Sequence, residues 1–166
     1  QLVTLAPVTS TGVEYPREPR GPVAAGRDVY VAMGCVYCHS QQVRPDGFGA
    51  DIARGWGTRR TVARDYIYDQ PHLLGTMRTG PDLANIGVRQ PSDRWHYLHL
   101  FNPRITSPGS NMAPFPFLFE IGEHGDAEPP EDAIVPPEGF LEEGKHIIPT
   151  ERGRKLDAHP KSLDPN

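Results

Sequence analysis

The chain's two cysteines stand in a single short string, Cys35-Val36-Tyr37-Cys38, and His39 follows at once. No other cysteine exists in the 166 residues, so neither a disulfide framework nor a four-cysteine zinc site can be built. Two thiols beside an imidazole have one highly specific use, covalent attachment of haem c. The thiols add across the two vinyl groups as thioethers, and the adjacent imidazole supplies an axial ligand to the iron. Two rival readings fit less well. A redox dithiol of the thioredoxin kind wants a strand–helix–strand setting, whereas the residues before Cys35 read as a helix. A zinc site wants a further Cys or His pair at short spacing. Composition points the same way. With 19 prolines and 17 glycines the chain has many turns and few core residues, and such a domain needs a staple. A buried porphyrin provides one.

Length predicts one domain with extended ends. Residues 1–22 hold Pro7, Pro16, Pro19 and Pro22 and read as an extended N-terminal arm. Residues 23–121 form the expected haem domain, and residues 122–166 an acidic, proline-rich linker and tail with room for a short helix between Gly139 and Leu163, broken by Pro160. Within the central domain, Val23 to Met33 reads as a helix, with Val29, Met33 and Val36 on one face. A second helix runs from Asp93 to Phe101, capped by Ser92 and stopped by Pro103. Residues 40–75 form a long polar segment with five glycines and two prolines. Its arginines and aromatics fit a docking surface, and the plainer alternative is a loop wrapped on its own domain. The formal charge of −4 gives no sign of a nucleic-acid partner, and no apolar run reaches the length of a membrane span. Because the sequence begins at Gln1, removal of an N-terminal signal or anchor is expected.

A sixth iron ligand must come from far along the chain to reach the opposite haem face. Met33 is too close to the anchor. Met112 lies in Ser110-Asn111-Met112-Ala113-Pro114-Phe115-Pro116, a loop stiffened by two prolines that would pre-position a thioether. Met77, in a turn between Gly75 and Gly80, is the runner-up. A methionine is otherwise ordinary core filler. His96 and His99, three apart on a helix, have the spacing to share a metal, or serve as surface or propionate-side residues.

Longer strings carry a resemblance. Gly26-Arg27-Asp28-Val29-Tyr30 leads into Gly34-Cys35 and then Cys38-His39-Ser40-Gln41, with Val43-Arg44-Pro45 close behind. Tyr66, Tyr68-Asp69, Arg78-Thr79-Gly80-Pro81-Asp82-Leu83, Ser92-Asp93, Trp95-His96 and Asn102-Pro103-Arg104 follow in order, ending in Ser110-Asn111-Met112 and Phe115-Pro116. Over about residues 24–120 the chain resembles the mono-haem subunit II of cbb3-type cytochrome c oxidases. That resemblance implies a mostly α, loop-rich, class I cytochrome c fold around one covalent haem c, with a long loop insertion and extended termini. It implies His39 and Met112 as axial ligands and the Pro81 carbonyl as acceptor from the second nitrogen of His39. It further implies Arg44, Arg78, Arg89 and the Trp95 indole at the haem propionates, although each arginine reads equally as a surface charge. The chain departs from the family pattern at Ala113, where proline usually follows the methionine, and in its polar C-terminal stretch from Ala158 to Leu163.

The function so implied is electron relay, without catalysis by this chain alone, from a donor cytochrome to a membrane haem-copper catalytic subunit. Its place would be the periplasmic side of a bacterial membrane, anchored by an N-terminal helix outside this sequence. Other cytochrome c subunits or carriers would be partners, and no small-molecule substrate is expected. The alternatives are a free soluble cytochrome c and a haem enzyme with a labile distal ligand.

Overall fold

The computed structural model describes residues 6–10 and 13–158. Four helices stand among long connections: α1 (Pro22–Ala32), α2 (Ile86–Arg89), α3 (Asp93–Phe101) and α4 (Glu151–Ala158). Helix α1 begins with Pro22 in its first turn, where the missing N–H is no loss. Met33 caps it, and Gly34 in the left-handed conformation (φ 73°) turns the chain into a single 3-10 turn, Cys35–Tyr37, which carries the cysteines. Ser92 caps α3 by accepting from the Trp95 N–H at 3.2 Å, as the sequence predicts.

Two antiparallel hairpins were not visible in the sequence. Strand β1 (Val8–Ser10) pairs with β2 (Val13–Tyr15), so part of the arm folds back on itself. Arg64 Nε donates to the Ala6 carbonyl at 3.0 Å, and the Arg59 guanidinium lies over the Tyr15 ring. Both contacts tie the arm to the long loop. Strand β3 (Phe119–Glu123) pairs with β4 (Lys145–Pro149) in a register running from Phe119 opposite Pro149 to Glu123 opposite Lys145. Between them the chain makes a long excursion, pinned where Ile134 bridges Ile147.

This second hairpin changes the picture of residues 122–166. The expected boundary at 121/122 cuts through β3, and Ile134, Ile147 and Leu156 from beyond it belong to the same buried cluster as Val29, Tyr30, Leu98 and Phe101. Helix α4 packs on α1 and closes the domain. Pro129, Pro130, Pro137 and the acids that read as linker are exposed, while Ile134, Pro136, Ile147 and Leu156 are buried. The helix placed between Gly139 and Leu163 exists as α4, while Pro160 lies outside the described residues. The long polar segment likewise folds onto its own domain, since Val43 and Leu73 are buried and Asp51 is fully so.

Candidate functional site

His39 is the centre of the site, and the chain comes at it from three directions. Its Nδ1 lies 2.7 Å from the Pro81 carbonyl oxygen. A carbonyl only accepts, so Nδ1 is the donor, and in the neutral imidazole Nε2 keeps its lone pair. Gly80 runs so close beneath the ring that a Cβ there would lie 2.8 Å from Nδ1 and 2.9 Å from Nε2. Gly75, at φ 79°, presses on the His39 peptide, and a Cβ on it would come within 2.6 Å of the His39 oxygen. Only glycine fits at either position.

Cys35 and Cys38 are both free, Cys35 half-buried and Cys38 exposed. Burial pushes the Cys35 thiol up to about 11. A redox dithiol works through a thiolate made easy by a lowered pKa, so this direction argues against that reading. The donor set is two free thiols and an imidazole whose second nitrogen is already fixed. Two thiols and one imidazole are too few for a closed zinc site, and they fit the attachment of a haem. Among the described residues no group of three or more His, Cys, Asp or Glu converges to hold a metal ion by itself.

Behind His39 lies a network of buried charge that sequence reasoning missed. Asp51 and Asp82 are both fully buried. Arg78 pairs with both, at 2.8 Å and 3.0 Å, and Arg44 pairs with Asp51 at 2.9 Å. Burial alone would raise the Asp51 carboxyl, yet the hydrogen bonds from Arg78 and Arg44 hold it far below the usual carboxylate range. Arg89 gives Nη2 to the Asp82 carbonyl at 2.6 Å and Nε to the Ala84 carbonyl at 3.0 Å. The guanidinium groups of Arg54, Arg78 and Arg89 surround the Trp56 ring, 5.2–5.5 Å from its centre. Of the arginines expected at the haem propionates, Arg44 bonds a carboxylate, Arg89 backbone carbonyls, and Arg78 carboxylates, a backbone carbonyl and the Ser40 hydroxyl. The one local hint in the sequence is the spacing of Arg78 and Asp82, four apart, and it covers that pair and not the network around Asp51.

The other side of the site is built from α3 and the loop after it. Met112 is half-buried; its N–H donates to Ser110 Oγ at 3.2 Å, and its carbonyl accepts from Arg104 at 3.5 Å. The loop is tied back to α3 by the Phe115 N–H on the Leu100 carbonyl at 2.8 Å. Met77 is 59 % exposed, and its neighbour Thr76 is bonded to the Val36 carbonyl. That tie keeps Met77 on the cysteine side. His96 and His99 do not converge on a common metal. His96 Nε2 meets the Gln90 carbonyl, while His99 Nδ1 meets Thr106 Oγ1 and its ring stacks on Trp95 at 4.7 Å. Burial, with His39 and His96 nearby, lowers His99 to about 4.

The family described as cytochrome c oxidase, mono-heme subunit/FixO, matches residues 15–131. The chain belongs to that family. It is therefore a mono-haem cytochrome c subunit of an oxidase, an electron-transfer component of a membrane-associated complex with partner subunits. The resemblance to the cbb3-type subunit II, drawn from motifs between Gly26 and Pro116, agrees with this membership. A comparison with curated proteins finds no match. No helix among the described residues is long and apolar enough to cross a membrane.

Proposed function

We propose that this chain holds one haem c covalently through Cys35 and Cys38, with His39 Nε2 and the Met112 sulfur as axial ligands. In that role it passes electrons from a donor cytochrome to the haem-copper catalytic subunit of a cbb3-type oxidase on the periplasmic side of a bacterial membrane. When bound, the haem supplies a reversible one-electron centre, and the protein governs its position and potential. The observation that carries the reading is the His39 imidazole, fixed by the Pro81 carbonyl through Nδ1 with Nε2 free, on the same turn as two free thiols.

The chain's own residues divide the work. Cys35 and Cys38 prevent loss of the cofactor, and Pro81 fixes the plane and tautomer of His39. Met112, on its proline-stiffened loop, would be the second protein ligand to the iron, so that oxygen would be reduced at a partner and not here. A thioether there favours the reduced state relative to a second imidazole.

Two measurements test this. Acidified-acetone extraction of the denatured protein should leave the haem on the chain, and complete extraction overturns covalent attachment. Met112→Ala should open the iron to carbon monoxide while Met77→Ala should not. The reverse pattern would reassign the ligand.

A further inference from the structure

The residue after His39 and the residue after Pro81 are joined to each other. Ser40 Oγ donates to Asp82 Oδ2 at 2.5 Å, and both residues are buried. The same carboxylate oxygen accepts the Gln42 N–H at 2.9 Å and Arg78 Nη2 at 3.0 Å, while Oδ1 accepts the Ala84 N–H at 2.7 Å. Arg78 closes the junction from the other side. Its Nε donates to Ser40 Oγ at 2.7 Å, and its Nη2 to the Gln42 carbonyl at 2.7 Å. Two backbone bonds flank the junction, Gly80 N–H to the Cys38 carbonyl and Leu83 N–H to the Ser40 carbonyl, at 2.9 Å and 2.8 Å. The stretch 38–42 is thereby stapled to 80–84, and the His39 ring and Pro81 carbonyl face each other across the staple.

We infer that Ser40, Asp82 and Arg78 are positioning residues that set the strength of the His39–Pro81 hydrogen bond, and through it the electron affinity of the iron. The inference rests on His39 being an axial ligand, as proposed above. A carbonyl held firmly against Nδ1–H makes the imidazole a stronger donor to the metal and so favours the oxidised state. A carbonyl free to drift weakens that bond and raises the potential. The staple uses directional, charge-assisted hydrogen bonds in a water-poor place, which restrict distance and angle together.

The test uses the full-length holoprotein with Ser40→Ala, which removes one hydroxyl and no charge, and Ser40→Thr, which restores the hydroxyl. The readouts are the reduction potential and the rate at which the His39 ring N–H exchanges with solvent, followed by NMR. The expected result is a higher potential and faster ring N–H exchange in Ser40→Ala, with both returned toward wild type in Ser40→Thr. An unchanged potential and exchange rate, with only the unfolding midpoint lowered, overturns the inference and makes the staple purely structural. If Ser40→Ala does not fold, Arg78→Lys keeps the charge but cannot reach Ser40 and Gln42 together, and the same two shifts are required of it. A wild-type holoprotein whose spectrum lacks low-spin, His-ligated haem overturns the proposed function itself, and that result is read before any variant is made.

Discussion

The two walls of the proposed site hold His39 and Met112 by different physics. On the His39 side, buried ions do the work: Asp51 and Asp82 have no exposure, and Arg44 and Arg78 are hydrogen-bonded to them. On the Met112 side no buried ion takes part. The loop is held by neutral hydrogen bonds, Met112 N–H to Ser110 Oγ and Phe115 N–H to the Leu100 carbonyl, on a helix anchored by apolar contacts. Leu98 and Phe101 of α3 are buried, and Phe119 takes the rings of Phe101 and Tyr97 edge-on at 5.7 Å and 6.2 Å. Apolar contact sets where a segment lies but tolerates rotation, whereas charged hydrogen bonds set direction. An imidazole is planar and must be aimed; a thioether has only to reach. The wall with the aiming task carries the directional bonds.

If that contrast holds, the largest effect should come from the closest backbone approach on the His39 side. Gly80→Ala places a methyl group against the imidazole ring. It should abolish the low-spin His-ligated spectrum, with holoprotein yield and visible absorption as the measurements. A normal spectrum would mean that His39 can turn freely and that the aiming argument is wrong.

Next in size is Asp51→Ala. It takes the carboxylate partner from Arg44 and leaves Arg78 with Asp82 alone, their side chains only 31 % and 20 % exposed, and breaking such a cluster costs about 3 kcal/mol. The pH dependence has a definite sign. The Asp51 carboxyl is lowered on folding, so its contribution is complete above the unfolded value of about 4 and is lost as pH falls below that. Denaturant titrations of wild type and Asp51→Ala should converge in strong acid. Curves that stay parallel there would show that Asp51 is not the acid-labile group.

The contrast also explains what the sequence disclosed. Apolar spacing (Val29, Met33, Val36) placed α1 to within a residue, and the Ser92 cap and Pro103 stop placed α3, because these signals act locally. The site string was legible because thiols and imidazole are adjacent in sequence. The buried network was not, since Asp51 lies 27 residues from Arg78 and 7 from Arg44, and nothing in a polar loop marks one aspartate as buried. The β3–β4 hairpin stayed hidden for a related reason. The strands are short, the connection between them is long, and prolines and acids dominate the composition of the lobe.

A smaller effect is expected across the site, at His99. Its value is lowered to about 4 by burial and by nearby His39 and His96, so the folded protein keeps it neutral while the unfolded chain takes up a proton below about 6.5. Stability should therefore be complete above about pH 6.5 and decline down to about pH 4, less steeply in His99→Gln. Identical slopes in the two proteins would place the acid sensitivity elsewhere.

The smallest effect sharpens the comparison most directly, because it perturbs the Met112 wall without touching its apolar contacts. Ser92→Ala removes the acceptor for the Trp95 N–H at an exposed helix start and should cost about 1 kcal/mol. The far end of α3 is held independently by buried Leu98 and Phe101, and the Met112 loop is tied to Leu100 rather than to the first turn. The lower stability should thus appear as fraying of the first turn, and the reduction potential should stay at the wild-type value. Spectroelectrochemistry beside thermal unfolding separates the two quantities. A potential that moves with Ser92→Ala would show that α3 transmits strain to Met112, and the division between an aimed wall and a tolerant one would fail.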